Sequence, residues 1–175
     1  IQQVDRDFVS DIVNRGGTII RSARLPEFKE VETRQKGIEQ LKKFGIDALV
    51  CIGGDGTYQG AKALSNMGIN CIALPGTIDN DIASTDFTIG FDTALNTIVE
   101  AVDKLRDTST SHQRCSIVEV MGRYCGDLAL FSGIACGADL IVTSDYQLTR
   151  NEIIEKLGEM HKNGKRHAMV IITEK

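Results

Sequence analysis

Chemistry-bearing residues gather just after the apolar runs of this chain. Gly53-Gly54-Asp55-Gly56-Thr57 follows the run Ala48–Ile52 and leads into a helix-like stretch from about Tyr58. A glycine-rich turn between strand and helix lets backbone N–H groups approach phosphate oxygens, helped by the positive end of the helix dipole. Asp55 adds a hard oxygen ligand where a magnesium ion on those phosphates would sit. Such a turn also serves as a plain strand-to-helix connection, but three glycines around an aspartate weigh toward phosphate. Pro75-Gly76-Thr77-Ile78-Asp79-Asn80-Asp81 follows the next apolar run, Asn70–Leu74. Two carboxylates two residues apart, beside a hydroxyl, suit proton abstraction from an acceptor alcohol. One takes the proton; the other orients it or joins the metal shell. Asn-Asp clusters also build ordinary turns. The neighbouring glycine-rich turn is what makes this loop the expected chemical centre.

Arginines complete the pattern. Met121-Gly122-Arg123 follows the run Cys115–Val120, and Arg24 follows Thr18–Ile20. A forked guanidinium fits phosphate better than a lysine point charge, and positions at the carboxyl ends of strands favour a ligand over a solvated surface charge. Arg114 precedes its strand, so it is expected to serve a neighbouring subunit or a different site. Together these residues predict magnesium-dependent phosphoryl transfer to an alcohol that carries its own anionic group. A dinucleotide site is excluded: Gly54-x-Gly56-x-x-x-Gly60 misses the required spacing by one residue, and Leu74-Pro75-Gly76 offers no acid for a ribose. The chain also lacks a P-loop sequence.

The elements that must position these residues alternate along the chain. Strand-like runs lie at Thr18–Ile20, Ala48–Ile52, Asn70–Leu74, Cys115–Val120, Leu140–Thr143 and Ala168–Thr173, and most are apolar on both sides, as strands covered on both faces should be. Between them lie amphipathic stretches, one with Ile38, Leu41 and Phe44 on a face, another with Ala94, Leu95, Ile98, Val102 and Leu105. A third opens on the capping box Thr149-Arg150-Asn151-Glu152 and stops at Asn163-Gly164. This alternation predicts an α/β fold: a doubly wound, mostly parallel sheet with helices on both faces, three layers in all and one region over 1–175. In such sheets ligands sit beyond the carboxyl ends of the strands.

Composition sets the outer bounds. The chain has 175 residues, 42% hydrophobic and 25% charged, which is ordinary globular usage. A net charge of −4 gives no global attraction for nucleic acid or an anionic membrane. No apolar run is long enough to span a bilayer. The five cysteines (Cys51, Cys71, Cys115, Cys125 and Cys136) are odd in number and lack CxxC spacing; three lie inside apolar strand-like runs, which reads as buried thiols in a reducing cytoplasm rather than a disulfide framework or zinc site.

Four blocks resemble the bacterial ATP-dependent 6-phosphofructokinases: Gly53 to Thr57, Pro75 to Asp81, Thr88-Ile89-Gly90-Phe91-Asp92-Thr93-Ala94, and Glu119-Val120-Met121-Gly122-Arg123-Tyr124-Cys125-Gly126. The first block is shared with other kinases; the second and fourth together are specific. The resemblance implies transfer of the ATP γ-phosphoryl to the 1-hydroxyl of fructose 6-phosphate in glycolysis. Asp79 would be the general base, with Thr77, Asp81 and Arg123 beside it. Asp55 would hold Mg2+, and Arg24, Leu25, Gly54, Gly56 and Thr57 would contact ATP. Thr77, Ile78, Asp79, Met121, Gly122, Arg123 and Glu174 would line the sugar-phosphate site, and Arg114 would reach into a neighbour's site within a homotetramer. Pyrophosphate users of this family carry Asp at the position of Gly56 and Lys at that of Gly76, so two glycines favour ATP. A pyrophosphate-dependent relative and a silent nucleotide-binding module are the competing readings; the intact Asp55, Asp79 and Asp81 argue against the second.

Allosteric members bind ADP or phosphoenolpyruvate between subunits. The matching residues would be Arg6 through Asp11, Arg106, Gly137, Ala138, Asp139, Lys165, Arg166 and His167, with Asn163 standing where such members often have Lys. Read without the resemblance, Lys165-Arg166-His167 is a solvated cluster before a strand. The family also begins with a strand and glycine-rich loop that have no counterpart before Ile1, and continues past Lys175. The chain is therefore expected to be an excerpt of a longer two-domain polypeptide that by itself binds poorly and turns over little.

Overall fold

The computed structural model describes residues 1–174, and the chain falls into two compact units. The first comprises Ile1–Cys51 and Gln59–Ile72, the second Ile52–Tyr58 and the chain from Ala73 onward. The division runs through β1 (Ala48–Gly53), α2 (Asp55–Ser65) and β2 (Asn70–Pro75), and β1 and β2 pair as a two-stranded sheet.

In the first unit, α1 (Val31–Lys43) follows a 3-10 turn at Pro26–Lys29. Ile38 and Leu41 of α1 pack with Leu64, Ile69, Leu49 and Cys71. The Arg34 guanidinium ties helix to turn by donating to the Phe28 carbonyl at 2.8 Å and the Lys29 carbonyl at 2.6 Å. The expected strand at Thr18–Ile20 does not form. Those residues make a turn closed by the Arg21 N–H on the Thr18 carbonyl at 3.2 Å. Left-handed backbone at Gly17 (φ 77°) and Arg21 (φ 61°) brackets them. A three-residue run so bracketed finds no strand edge to pair with among the described residues, and β-branched side chains alone do not make a strand. Arg24 consequently does not follow a strand.

The second unit holds a parallel sheet ordered β3-β5-β4, from β3 (Cys115–Val120), β4 (Leu140–Val142) and β5 (Ala168–Thr173). The register pairs Cys115 with Ala168 and Leu140 with Val170. Central β5 is buried from Ala168 through Ile171, which explains its unbroken apolar sequence. On β3 burial alternates instead, with Ser116, Val118 and Val120 turned inward and Cys115, Ile117 and Glu119 exposed. The core joins α3 (Phe91–Ser111) and α4 (Asp127–Ala135) to the sheet through Phe91, Val102, Leu128, Ala129, Met169 and Ile171. The Phe91 ring stacks on Phe87 at 5.8 Å and meets Phe131 edge-on at 5.7 Å. Helix α5 (Arg150–Lys162) opens on the expected capping box. The Thr149 hydroxyl accepts from the Glu152 N–H, and the Glu152 carboxylate accepts from the Thr149 N–H at 2.7 Å.

All five cysteines are free thiols, but only Cys136 is buried, and Cys115 is exposed because it lies on the open side of β3. Among the described residues no helix is long and apolar enough to cross a membrane.

Candidate active site

Two glycine contacts seat the turn after β1 against the turn after β2. The Gly76 N–H donates to the Gly53 carbonyl at 3.0 Å. A Cβ built on Gly76 would lie 2.8 Å from the Ile52 methyl and 3.2 Å from the Gly53 nitrogen; one on Gly54 would lie 3.2 Å from the Thr77 Cβ. Only a backbone without side chains lets these loops approach so closely. A Cβ on Gly53 would come within 2.3 Å of the Thr57 hydroxyl. The Gly54 carbonyl accepts from Thr57 and Tyr58 N–H at 2.9 and 3.1 Å and starts α2, whose first residue is Asp55, three positions earlier than the sequence suggested. The first N–H groups of any helix have no intrahelical partner, so the start of α2 presents an anion-accepting end beside Thr77. Gly56, by contrast, faces open space.

The second turn is held from several sides. The Asp79 N–H donates to the Thr77 hydroxyl at 3.1 Å. The Gly90 N–H donates to the Thr77 carbonyl at 3.1 Å and the Ile89 N–H to the Pro75 carbonyl at 2.8 Å. Asn80 adopts left-handed backbone (φ 57°). Its side chain accepts from the Thr88 N–H at 2.9 Å and donates to the Asp127 carboxylate at 2.7 Å.

The third contribution comes from the ends of β3 and β5. Gly122 (φ 143°) and Arg123 (φ 56°) both depart from ordinary backbone, and a Cβ on Gly122 would strike the Cys125 carbonyl at 2.6 Å. This reversal places the Arg123 guanidinium 5.9 Å from the centre of the Tyr124 ring. The Glu174 N–H bonds to the Val120 carbonyl at 3.0 Å, bringing Glu174 level with the end of β3.

The electrostatics register what the geometry gathers. Burial pushes the half-buried Asp79 carboxyl up from its ordinary value, the Asp81 and Glu174 charges push it further, and Arg123 pulls it back. A carboxylate raised toward the working pH is a better proton acceptor than an ordinary surface aspartate, and such shifts cluster at functional sites. The structure thus brings Asp79, Asp81, Glu174 and Arg123 together next to Thr77 and Gly54, with Ile78 in the same turn against Gly90.

Of the other expected residues, one lies away from this cluster on the same sheet. Arg114 is exposed at the opposite end of β3 from Arg123, the strand between them being roughly 20 Å long at about 3.3 Å per residue. Arg24, Leu25, Arg6 and Asp11 belong to the first unit, where Arg24 and Leu25 are exposed and Asp11 is left-handed (φ 56°). Within the second unit several expected effector residues do assemble. Arg106 donates to the Cys136 carbonyl, next to Gly137 and Ala138. Lys165 pairs with the Asp139 carboxylate, which also accepts from the Met169 N–H at 2.9 Å. Arg166 and His167 line a shallow cavity with Lys165, His161, Gln113 and Cys115. Lys165 and Asp139 neutralise each other, so an anion there competes with a carboxylate already present.

For a metal, no group of three or more His, Cys, Asp or Glu is arranged to hold an ion among the described residues. Mg2+ ordinarily takes one or two carboxylates and completes its shell with substrate phosphates and water. Exposed Asp55 in the first turn of α2, beside the anion-accepting N–H groups, fits that donor set. The sequence reading missed Asn80, Thr88 and Asp127. Asn80 was detectable as an asparagine between two aspartates in a turn, since asparagine tolerates left-handed backbone; the distant Asp127 carried no local signal.

The chain is 59% identical over 174 residues to an ATP-dependent 6-phosphofructokinase of Vibrio campbellii and 60% identical to one of Vibrio cholerae, in each case covering 99% of this chain and 54% of the relative. It spans about half the length of these curated relatives. The solved structure of phosphofructokinase from Saccharomyces cerevisiae superimposes with a TM-score of 0.84 at 35% identity, covering 98% of this chain and 26% of that one. The phosphofructokinase family model matches residues 1–175 from end to end, and with the glycine-seated turns and clustered acids described above, the chain belongs to the phosphofructokinase family.

Proposed function

We propose that this chain carries the phosphoryl-transfer centre of an ATP-dependent 6-phosphofructokinase, and that it acts as part of a longer, two-domain cytoplasmic enzyme assembling as a homotetramer. The observation that carries the reading is the elevated Asp79 carboxyl, flanked by Asp81, Glu174 and Arg123 and seated beside the Gly54 corner. The names and 59–60% identity of the relatives support ATP as the donor.

In this mechanism the start of α2 and Thr57 accept the donor phosphates through backbone N–H groups and a hydroxyl. Arg24 and Leu25 contribute to the nucleotide site. Met121, Gly122, Arg123, Glu174 and Ile78 hold fructose 6-phosphate with its 1-hydroxyl toward Asp79, and Arg114 serves a neighbouring subunit. Asp79 takes the hydroxyl proton as the oxygen bonds to the γ-phosphorus and the bond to the β–γ bridging oxygen breaks, releasing ADP. Asp81 keeps the Asp79 carboxyl basic, and Arg123 offsets negative charge gathering on the phosphoryl oxygens. Mg2+, held by Asp55, would neutralise charge on the nucleotide phosphates when bound. ADP or phosphoenolpyruvate would regulate through Arg6, Asp11, Arg106, Gly137 to Asp139 and Lys165 to His167.

The test is Asp79→Asn in the full-length enzyme, measured by coupling fructose 1,6-bisphosphate formation to NADH oxidation. Loss of a positioned general base lowers kcat by about 10²–10⁴-fold. Retained turnover within threefold of the parent removes Asp79 from the role.

A further inference from the structure

We propose that Asn80 and Asp127 form a positioning pair that fixes where the Asp79 and Asp81 carboxylates stand relative to each other; the inference rests on the phosphoryl-transfer reading above. Asn80 lies between the two acids, and its left-handed backbone sets the direction in which the chain leaves Asp79 toward Asp81. A left-handed residue other than glycine persists only where its surroundings hold it. Here four groups from two stretches of chain do so.

The Asn80 Oδ1 accepts from the N–H of Thr88, which is only 3% exposed, at 2.9 Å. The Asn80 Nδ2 donates to the Asp127 Oδ2 at 2.7 Å and reaches the Asp86 carbonyl at 3.5 Å. The Cys125 thiol approaches the Asn80 carbonyl at 3.9 Å. The short amide-to-carboxylate contact is charge-assisted, the stronger class of hydrogen bond. Asp127 is itself anchored in the first turn of α4, where a negative charge suits the helix dipole. Its neighbours Leu128 and Ala129 are fully buried in the sheet core, at 1% and 0% exposure. The rigid part of the unit is thereby connected, through one side chain, to the middle residue of the Asp-Asn-Asp turn.

This arrangement is more than a turn needs. Asp-Asn-Asp could close on its own backbone, as asparagine and aspartate do in ordinary turns. Instead the Asn80 side chain spans its own loop to Thr88, 8 positions on, and leaves it to reach Asp127, 47 positions further along the chain. Neither Asn80 nor Asp127 is assigned contact with substrate, so both act through Asp79 and Asp81.

The experiment uses the full-length enzyme with Asn80→Gly, Asp127→Ala, Asp127→Asn and the double variant Asn80→Gly/Asp127→Ala. Asn80→Gly keeps access to left-handed backbone while removing the amide. Ile171→Val serves as a control for destabilisation remote from the loop. Misplacement of reacting groups by about 1 Å can cost 10²-fold, so Asn80→Gly and Asp127→Ala are each expected to lower kcat by about that factor with KM for both substrates within threefold. The double variant should lose no more than either single one, because the two residues act as one unit. Asp127→Asn, which retains an acceptor oxygen, should recover most of the loss, and Ile171→Val should keep kcat. Carboxyl-carbon NMR titration of Asp79 reads the geometry whether or not the enzyme turns over: once the pair is broken the acids relax apart and the Asp79 midpoint falls. Full kcat in the single variants, losses that multiply in the double variant, or an Asp79 midpoint unmoved by both Asn80→Gly and Asp127→Ala would each overturn the proposal. A parent enzyme without kinase activity refutes the catalytic reading instead, and the NMR titration still decides the pair.

Discussion

Gly76→Ala isolates the close approach of the two phosphate-side turns. Its new methyl would sit 2.8 Å from the Ile52 Cγ2, 3.2 Å from the Gly53 nitrogen and 3.5 Å from the Gly53 Cα. Ile52 is exposed and can swing aside, but the Gly53 backbone is bound to the same residue through the Gly76 N–H at 3.0 Å and cannot retreat without losing that bond. Overpacking of this kind costs about 1–3 kcal/mol. With a urea slope of about 1–3 kcal/mol per molar, the unfolding midpoint should fall by about 1 M. The turn carrying Thr77 and Asp79 would also move outward by a few tenths of an ångström, and kcat should fall with it. Gly56→Ala is the matched control: nothing lies within 4 Å of its added Cβ, and alanine in a helix is favoured over glycine by about 1 kcal/mol. The assay is urea unfolding followed by fluorescence of an extrinsic dye, with kcat measured on the same samples. A Gly76→Ala midpoint equal to the parent's, or a Gly56→Ala midpoint that falls as far, would refute the steric argument. The same contrast separates the two positions: a longer side chain at 56 enters open space, whereas one at 76 must first part the turns.

The remaining predictions concern charge and capping. Asp81→Asn removes a negative neighbour that raises the Asp79 carboxyl, so the acidic limb of the kcat/KM profile should move to lower pH; Arg123→Met removes the opposing charge and should move it higher. Because the folded state holds the Asp79 proton more tightly than the unfolded chain, this group favours folding at low pH and loses that contribution as pH rises through its folded value. Asp79→Asn should therefore unfold at equal or higher urea than the parent at pH 7 while losing turnover. Thr149→Ala removes the hydroxyl half of the α5 capping box and should cost about 1 kcal/mol. Hydrogen bonds from Thr149 hold the Glu152 carboxyl below its ordinary value, so the cap weakens as pH falls through that depressed value, and the gap between Thr149→Ala and parent in urea should narrow in acid.

What could be read from residue order was what depends on neighbours in sequence. The runs at Cys115–Val120 and Ala168–Thr173 became strands with those same bounds, and the α5 capping box formed as written, because each signal is complete within a few residues. Thr18–Ile20 misled because β-branched residues describe only half of a strand; the partner edge is a tertiary fact. Cys115 misled similarly, since an apolar run does not reveal which side of a strand a sheet leaves open. In the site, Gly54, Thr77, Asp79 and Arg123 were legible from side-chain type and position after strands. Asp127 was not: it meets Asn80 across 47 residues, and its place at the start of a helix already explained a carboxylate there.

Strand order has a consequence for synthesis on the ribosome. Between β3 and β4, which are made earlier, stands β5, the last of these three strands to emerge, and each of them pairs with it rather than with the other. Until residues 168–173 clear the exit tunnel, β3 and β4 have no hydrogen-bonding partner in this sheet, and the apolar side chains later covered by the finished unit stay available to chaperones. Cotranslational folding of this sheet should therefore wait for β5 and arrive abruptly, rather than strand by strand.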